Sequence, residues 1–182
     1  MKKSLGREHA KTKCTIQFES AECGAASLSI ILKYFGKYVS LQKLREQTCV
    51  TRDGASAELI KKGAEANDLT AKVYKANYMI VNEITRYPCI IFWKMSHFMV
   101  LEGINDNFVY LSDPAHGRYR VPVQFFKECF SNVVIELEPG INFKFDGKER
   151  NNLWKVLDFT ENLGLEIGIY FVLQIATLIP IL

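Results

Sequence analysis

The chain has 182 residues, 48% hydrophobic and 24% charged, with 23 Lys and Arg against 20 Asp and Glu. That length suits one ordinary domain with some chain to spare, and the apolar content excludes a disordered polar tail or a collagen-like repeat. Net charge is only +3, and basic residues cluster no more densely than the pairs Lys2-Lys3 and Lys61-Lys62. There is no phosphate-tracking stripe, which argues against nucleic-acid binding.

Helices are expected first. Ser20 to Phe35 carries apolar or small residues at Ala26, Ile30, Ile31, Tyr34 and Phe35, with Gly36 as a stop signal. Ser40 is placed to cap a second helix through Leu41, Leu44 and Arg45. Ser56 is placed to cap a third, which carries Leu59, Ile60 and Ala64 and ends near Asn67. From Thr70 the pattern turns to strands: Thr70 to Tyr74, Cys89 to Trp93, His97 to Ile104, Phe108 to Ser112, Tyr119 to Val121 and Val133 to Leu137. A short helix from Val123 to Phe130 interrupts them. Helices grouped ahead of a mainly antiparallel sheet predict an α+β domain over residues 1–138. Phe92, Trp93, Phe125 and Phe126 are expected in its core.

Pro139, Gly140, Gly147 and mixed charges mark 139–162 as a linker. Every Lys and Arg lies at or before Lys155, and the sixteen residues from Ile167 to Leu182 carry no charge. As a helix that uncharged run spans roughly 24 Å, short of the ~30 Å hydrocarbon core. Residues 163–182 therefore read as the start of a transmembrane helix truncated by the end of the chain. Basic residues on its N-terminal flank put the preceding domain on the cytoplasmic side.

Five cysteines stand at 14, 23, 49, 89 and 129, an odd count with no CxxC. This argues against a disulfide framework or structural zinc and favours a reducing compartment. Cys23 differs from the others in opening the first helix, where unpaired N–H groups and the helix dipole favour thiolate. Small residues follow at Gly24, Ala25 and Ala26, leaving room for another backbone to approach the sulfur.

His97 begins one strand and Asp113 follows another, joined through the turn Asn105-Asp106-Asn107. With Asp106 as midpoint, Asp113 falls opposite Met99. His97 and Asp113 then share a face as diagonal neighbours. A carboxylate there can hold one imidazole nitrogen and leave the other for a thiol. Gln17, six residues before Cys23, is a candidate oxyanion donor. His9 and His116 have no evident partners. No phosphate-binding loop, zinc helix or serine elbow is present.

Gln17, Glu22-Cys23-Gly24-Ala25-Ala26, His97-Phe98-Met99-Val100-Leu101 and Asp113-Pro114 together resemble the papain-like peptidase domain of bacteriocin-exporting ABC transporters. The resemblance covers about residues 10 to 140. It implies a papain-like fold, with Cys23 as nucleophile, His97 as general base, Asp113 as its orienter and Gln17 as oxyanion donor. It also implies removal of a leader after a double-glycine site and needs neither cofactor nor metal. The expected partners are a precursor peptide with an amphipathic leader helix and the transmembrane and ATP-binding regions of a transporter. Glu22 stands where many members have Asp, as in the branch linked to modified, lanthipeptide-type precursors. Two rivals are a peptidase-shaped module that docks an export substrate without cutting it, and a thiol-dependent acyltransferase.

Overall fold

The computed structural model describes residues 9–52, 54–83 and 86–145, together with Gln174. A 3-10 turn, Ser20–Glu22, leads into helix α1 (Cys23–Tyr34). Helices α2 (Leu41–Gln47) and α3 (Ala57–Glu65) follow. Both begin where expected, because the Ser40 and Ser56 hydroxyls accept hydrogen bonds from the N–H groups of Lys43 and Leu59.

Strand β1 (Leu69–Lys75), helix α4 (Tyr78–Glu83), and strands β2 (Cys89–Trp93) and β3 (His97–Ile104) come next. Strands β4 (Phe108–Asp113) and β5 (Gly117–Pro122), helix α5 (Val123–Cys129) and strand β6 (Phe130–Pro139) complete the order. The six strands form one antiparallel sheet, ordered β1-β6-β2-β3-β4-β5. This is the α+β architecture expected from the sequence. Helix α4 was not expected there. Asn77, whose side chain accepts from Ile80 N–H at 3.0 Å, starts it, and Val81 is its buried residue.

Both faces of the sheet are covered. Ile90, Phe98, Val100, Ile135 and Leu137 pack with Leu28 and Ile31 of α1 and Ile60 of α3. Their neighbours Ile91, Met99, Leu101 and Val134 point the other way, to Val81 of α4 and Phe126 of α5. Because the side chains of Cys89–Trp93 and Phe98–Leu101 meet a layer on either face, these stretches read as apolar runs instead of alternating ones. Of the four aromatics expected in the core, Phe126 and Trp93 are buried. Phe125 is 43% exposed at the rim, beside Trp93.

The β3–β4 hairpin shows how its register is set. Near the turn Ile104 pairs with Val109 and Gly103 with Tyr110, centring the turn between Asp106 and Asn107. A bulge at Glu102 then shifts the register, so that Leu101 pairs with Leu111 and Val100 with Ser112. The same register continued by one residue sets Asp113 opposite Met99. The turn is off the assumed midpoint by half a residue, and the bulge restores the parity that matters for the site.

Glu102 is 1% exposed. Its carboxylate accepts from Arg118 Nε and Nη2 at 2.8–3.1 Å, and from the N–H and hydroxyl of Thr12 at 2.8 and 2.7 Å. The carbonyl of Glu102 accepts from Ala10 N–H. One buried acid thus fastens the N-terminal segment to the hairpin.

The chain divides into two compact units, Met1–Gly147 and Lys148–Leu182. Gly140, at the start of the expected linker, lies against the first unit and donates its N–H to Asp68 O at 2.9 Å. A Cβ there would meet that oxygen at 2.7 Å, so only glycine fits without a shift. The rest of the expected linker beyond residue 145, and all of the expected membrane segment except Gln174, lie outside the described residues. Among the described residues no helix is long and apolar enough to cross a membrane.

We expect Glu102→Ala to lower unfolding free energy by about 2–3 kcal/mol in urea titration. That is less than the ~3–5 kcal/mol of a fully buried pair, because Arg118 can turn to water. An unchanged midpoint would show that the clasp contributes nothing.

Candidate active site

Three elements converge on one sulfur. Cys23 is the first residue of α1 and is 5% exposed. The backbone of Phe98, at the start of β3, is gripped twice by α1. Its N–H points at Cys23 Sγ at 3.5 Å, and its carbonyl accepts from the Ser27 hydroxyl at 3.1 Å. Cys23 and Ser27 stand one helical turn apart on one face of α1, which is why both reach the same residue. His97, the residue before, is thereby carried to the sulfur's side of the sheet, and its imidazole is the chief influence that lowers the Cys23 thiol.

The far side of the ring is held by Asp113. Nε2 of His97 lies 2.7 Å from Asp113 Oδ1, leaving Nδ1 for Cys23. Asp113 is 2% exposed, and its Oδ1 also accepts from Ala115 N–H at 2.8 Å. Its Oδ2 lies 2.8 Å from His116 Nδ1 and 3.4 Å from the Tyr119 hydroxyl. The structure corrects the expectation that His116 has no partner: the two-residue turn after Asp113 folds it back onto the same carboxylate. His9, the other histidine without an expected partner, stacks on Tyr110 at 4.2 Å between ring centroids.

Burial alone would oppose all three charges. It pushes the Asp113 carboxyl up, but the hydrogen bonds from His97, Ala115 N–H and His116 outweigh it and hold the group below the usual carboxylate range. Burial likewise pushes His97 down, yet Asp113 and Cys23 raise it to about 9. Burial pushes the Cys23 thiol up, while His97 and the N–H groups of Phe98 and Gly24 bring it below its ordinary value. The arrangement favours a thiolate–imidazolium pair. The imidazole is the leading favourable influence on the thiol, and the Gly24 N–H at the helix start adds to it.

Gln17 arrives by a different route. The N-terminal segment runs beside the hairpin, where Cys14 Sγ donates to Asp113 O at 3.4 Å and Gln17 N–H donates to Pro114 O at 2.9 Å. The Gln17 Oε1 atom is buried without a partner. The Gln17 backbone is thus held at the Asp113-Pro114 turn, and its side chain makes no hydrogen bond to Cys23. Burial raises the Cys14 and Cys89 thiols, the reverse of Cys23.

Gly24, Ala25 and Ala26 do not open space at the sulfur. They are buried, and a Cβ on Gly24 would stand 2.7 Å from Ile60 Cδ1 of α3. Open space lies on another side, in a cleft of ≈ 500 Å³ whose lining includes Ala21, Cys23, Gly54, Ala55, Met95 and Phe98. Among the described residues no cluster suited to a metal ion is present.

The description of the Peptidase C39 family matches residues 11–142, the span that holds all of these groups. The chain belongs to the Peptidase C39 family, a family of cysteine peptidases. It is 32% identical over 127 residues to a probable microcin-H47 secretion/processing ATP-binding protein of Escherichia coli, covering 70% of this chain and 18% of that one. It is 27% identical over 183 residues to the transport/processing ATP-binding protein ComA of Streptococcus pneumoniae, covering 96% and 24%. The chain thus spans about a fifth of the length of these relatives.

Among solved structures, the double glycine motif protease of an AMS/PCAT transporter, in complex with its leader peptide, has a TM-score of 0.72. It is 36% identical, over 73% of this chain and 95% of that one. The peptidase domain of Streptococcus ComA, at 24% identity and TM-score 0.66 over 72% and 99%, supports the papain-like peptidase fold alone.

Replacing Asp113 by Asn removes the charge that holds the imidazolium. The pH at which Cys23 is half-maximally alkylated by iodoacetamide, followed by peptide mass mapping, is expected to rise by roughly one unit or more. An unmoved profile would remove Asp113 from the electrostatics of the thiol.

Proposed function

We propose that this chain is a leader peptidase: Cys23 attacks the carbonyl of the second glycine of a double-glycine site in a ribosomally made, bacteriocin or lanthipeptide-type precursor. The observation that carries the reading is the buried Asp113 carboxylate 2.7 Å from His97, whose imidazole lowers the Cys23 thiol, with Cys23 in the wall of the cleft. In it, His97 Nδ1 holds the thiol proton and delivers it to the leaving amine, while Asp113 keeps the ring oriented through Nε2. The Gln17 amide and the Cys23 N–H stabilise the oxyanion, and water then releases the acyl-enzyme.

Glycines suit the last leader positions, because Ala21, Cys23, Gly54 and Ala55 offer a wall of small side chains to a chain lacking Cβ atoms. Two glycines carry little recognition energy, so an amphipathic leader helix supplies the remainder. The precursor-processing and secretion names of the relatives, and the leader complex of the AMS/PCAT protease, support the same substrate class. Residues 139–162 then link the peptidase to a membrane segment beginning near residue 163. That places the domain on the cytoplasmic face of the bacterial membrane, beside the transmembrane and ATP-binding regions of a transporter. A docking module would have no use for a thiol activated by an oriented imidazole.

Mass spectrometry of a precursor peptide incubated with the chain tests the reading. The expected products are leader ending in a free Gly-Gly acid and intact core. Cys23→Ala abolishes cleavage while leader binding persists, and Asp113→Asn lowers turnover by orders of magnitude. Cleavage by Cys23→Ala at the parent rate would overturn the nucleophile, and a leader joined to an amine would indicate acyl transfer.

A further inference from the structure

The turn that carries Gln17 is anchored almost entirely by hydrogen bonds. Ile16 and Phe18 are 54% and 88% exposed, so neither packs the turn onto the core. On one side, Gln17 N–H donates to Pro114 O. On the other, the N–H groups of Phe18 and Glu19 both donate to Glu22 Oε2, at 2.9 and 3.2 Å. Glu22 is fully buried and directly precedes Cys23. Its second oxygen lies 2.9 Å from Arg45 Nη1 of α2. Outside this pair is a cavity of ≈ 580 Å³ lined by Phe18, Leu41, Gln42 and Val50 among others, which offers the turn no further support.

A buried carboxylate is unfavourable unless its charge is neutralised and its oxygens are engaged. Oε2 is engaged by two N–H groups, while Oε1 faces Arg45 as an ion pair and makes no hydrogen bond. Arg45 offsets the charge, and two charge-assisted hydrogen bonds draw the turn back against the residue before the nucleophile.

From this geometry we infer that Glu22 is a positioning residue, which holds the Gln17–Glu19 turn so that the Gln17 amide is set for the oxyanion. This rests on the proposed roles of Cys23 and Gln17. Glu22 touches neither substrate nor the reacting atoms, and it acts through Gln17. Preorganisation of this kind lowers the barrier because the donor needs no rearrangement as charge develops.

A double-mutant cycle on precursor cleavage tests it. Gln17→Ala is expected to lower kcat roughly a hundredfold. Glu22→Gln keeps one acceptor oxygen but loses the charge, and is expected to lower kcat roughly tenfold with KM changed less than about twofold. The double variant should fall no further than Gln17→Ala alone. Alkylation of Cys23 by iodoacetamide in Glu22→Gln should stay within about twofold of the parent, since the thiolate is untouched.

Losses that multiply in the double variant, or alkylation that collapses with activity, would overturn the inference. So would parent-like turnover in Glu22→Gln where Gln17→Ala is impaired, and that result leaves the oxyanion role standing. A silent Gln17→Ala would remove the oxyanion role and this inference with it. If Glu22→Gln does not fold, Arg45→Gln, a change to a half-exposed side chain, is put through the same cycle with the same expected lack of additivity.

Discussion

The site depends on the backbone of one residue. Phe98 offers its N–H to Cys23 Sγ and its carbonyl to the Ser27 hydroxyl, so a single turn of α1 holds the start of β3. A buried N–H and a buried carbonyl both need partners, and this turn supplies them. Backbone satisfaction and the geometry of the candidate site therefore coincide. The helix cannot dock on the sheet correctly without bringing His97 to the thiol. The packing of Leu28 and Ile31 against Phe98 and Val100 drives that docking, and the two hydrogen bonds set its register.

Two buried acids extend the same logic away from the sulfur. Glu102, in the bulge, secures the N-terminal segment at Thr12, and Glu22 secures it again at Phe18 and Glu19. Each is paired with an arginine that remains partly in water, Arg118 or Arg45. Pairing with a half-solvated cation limits the desolvation cost and leaves the carboxylate oxygens free to collect backbone N–H groups. The segment between these anchors has few buried apolar side chains of its own, so charged clasps do for it what packing does for α1.

Much of this was legible in the sequence, for identifiable reasons. Ser40 and Ser56 announced their helices because capping is local, and β2 and β3 announced theirs because strands buried on both faces are continuously apolar. The shared face of His97 and Asp113 was legible through strand parity, although the bulge that preserves it was not. Nothing in Leu101-Glu102-Gly103 forces an extra residue until Arg118 and Thr12 are in place to receive the carboxylate. Helix α4 was hidden because Tyr78-Met79-Ile80-Val81 has strand-like composition, and only the Asn77 cap argued otherwise. His116 was passed over because a histidine three residues after an aspartate is uninformative until the Asp113–His116 turn closes. The Phe98 N–H was invisible for a deeper reason: a backbone donor carries no sequence signature.

The electrostatics show why the Cys23 thiol and the fold cannot be separated. Burial acts against charge at Cys23, His97 and Asp113 alike, and at each of them specific contacts reverse it. An activated thiol is thus a property of assembled contacts from α1, β3 and β4, and no single element holds it. The linkage runs both ways. His97 binds its proton more tightly when folded, so its contribution to stability is complete below the ordinary imidazole range and is lost as pH rises through about 9. Asp113 binds its proton less tightly when folded, so its contribution is complete above the ordinary carboxylate range and is lost as pH falls below it. Between those limits the ion pair that arms the sulfur also ties the hairpin to the helix. Loosening either end costs reactivity and stability together.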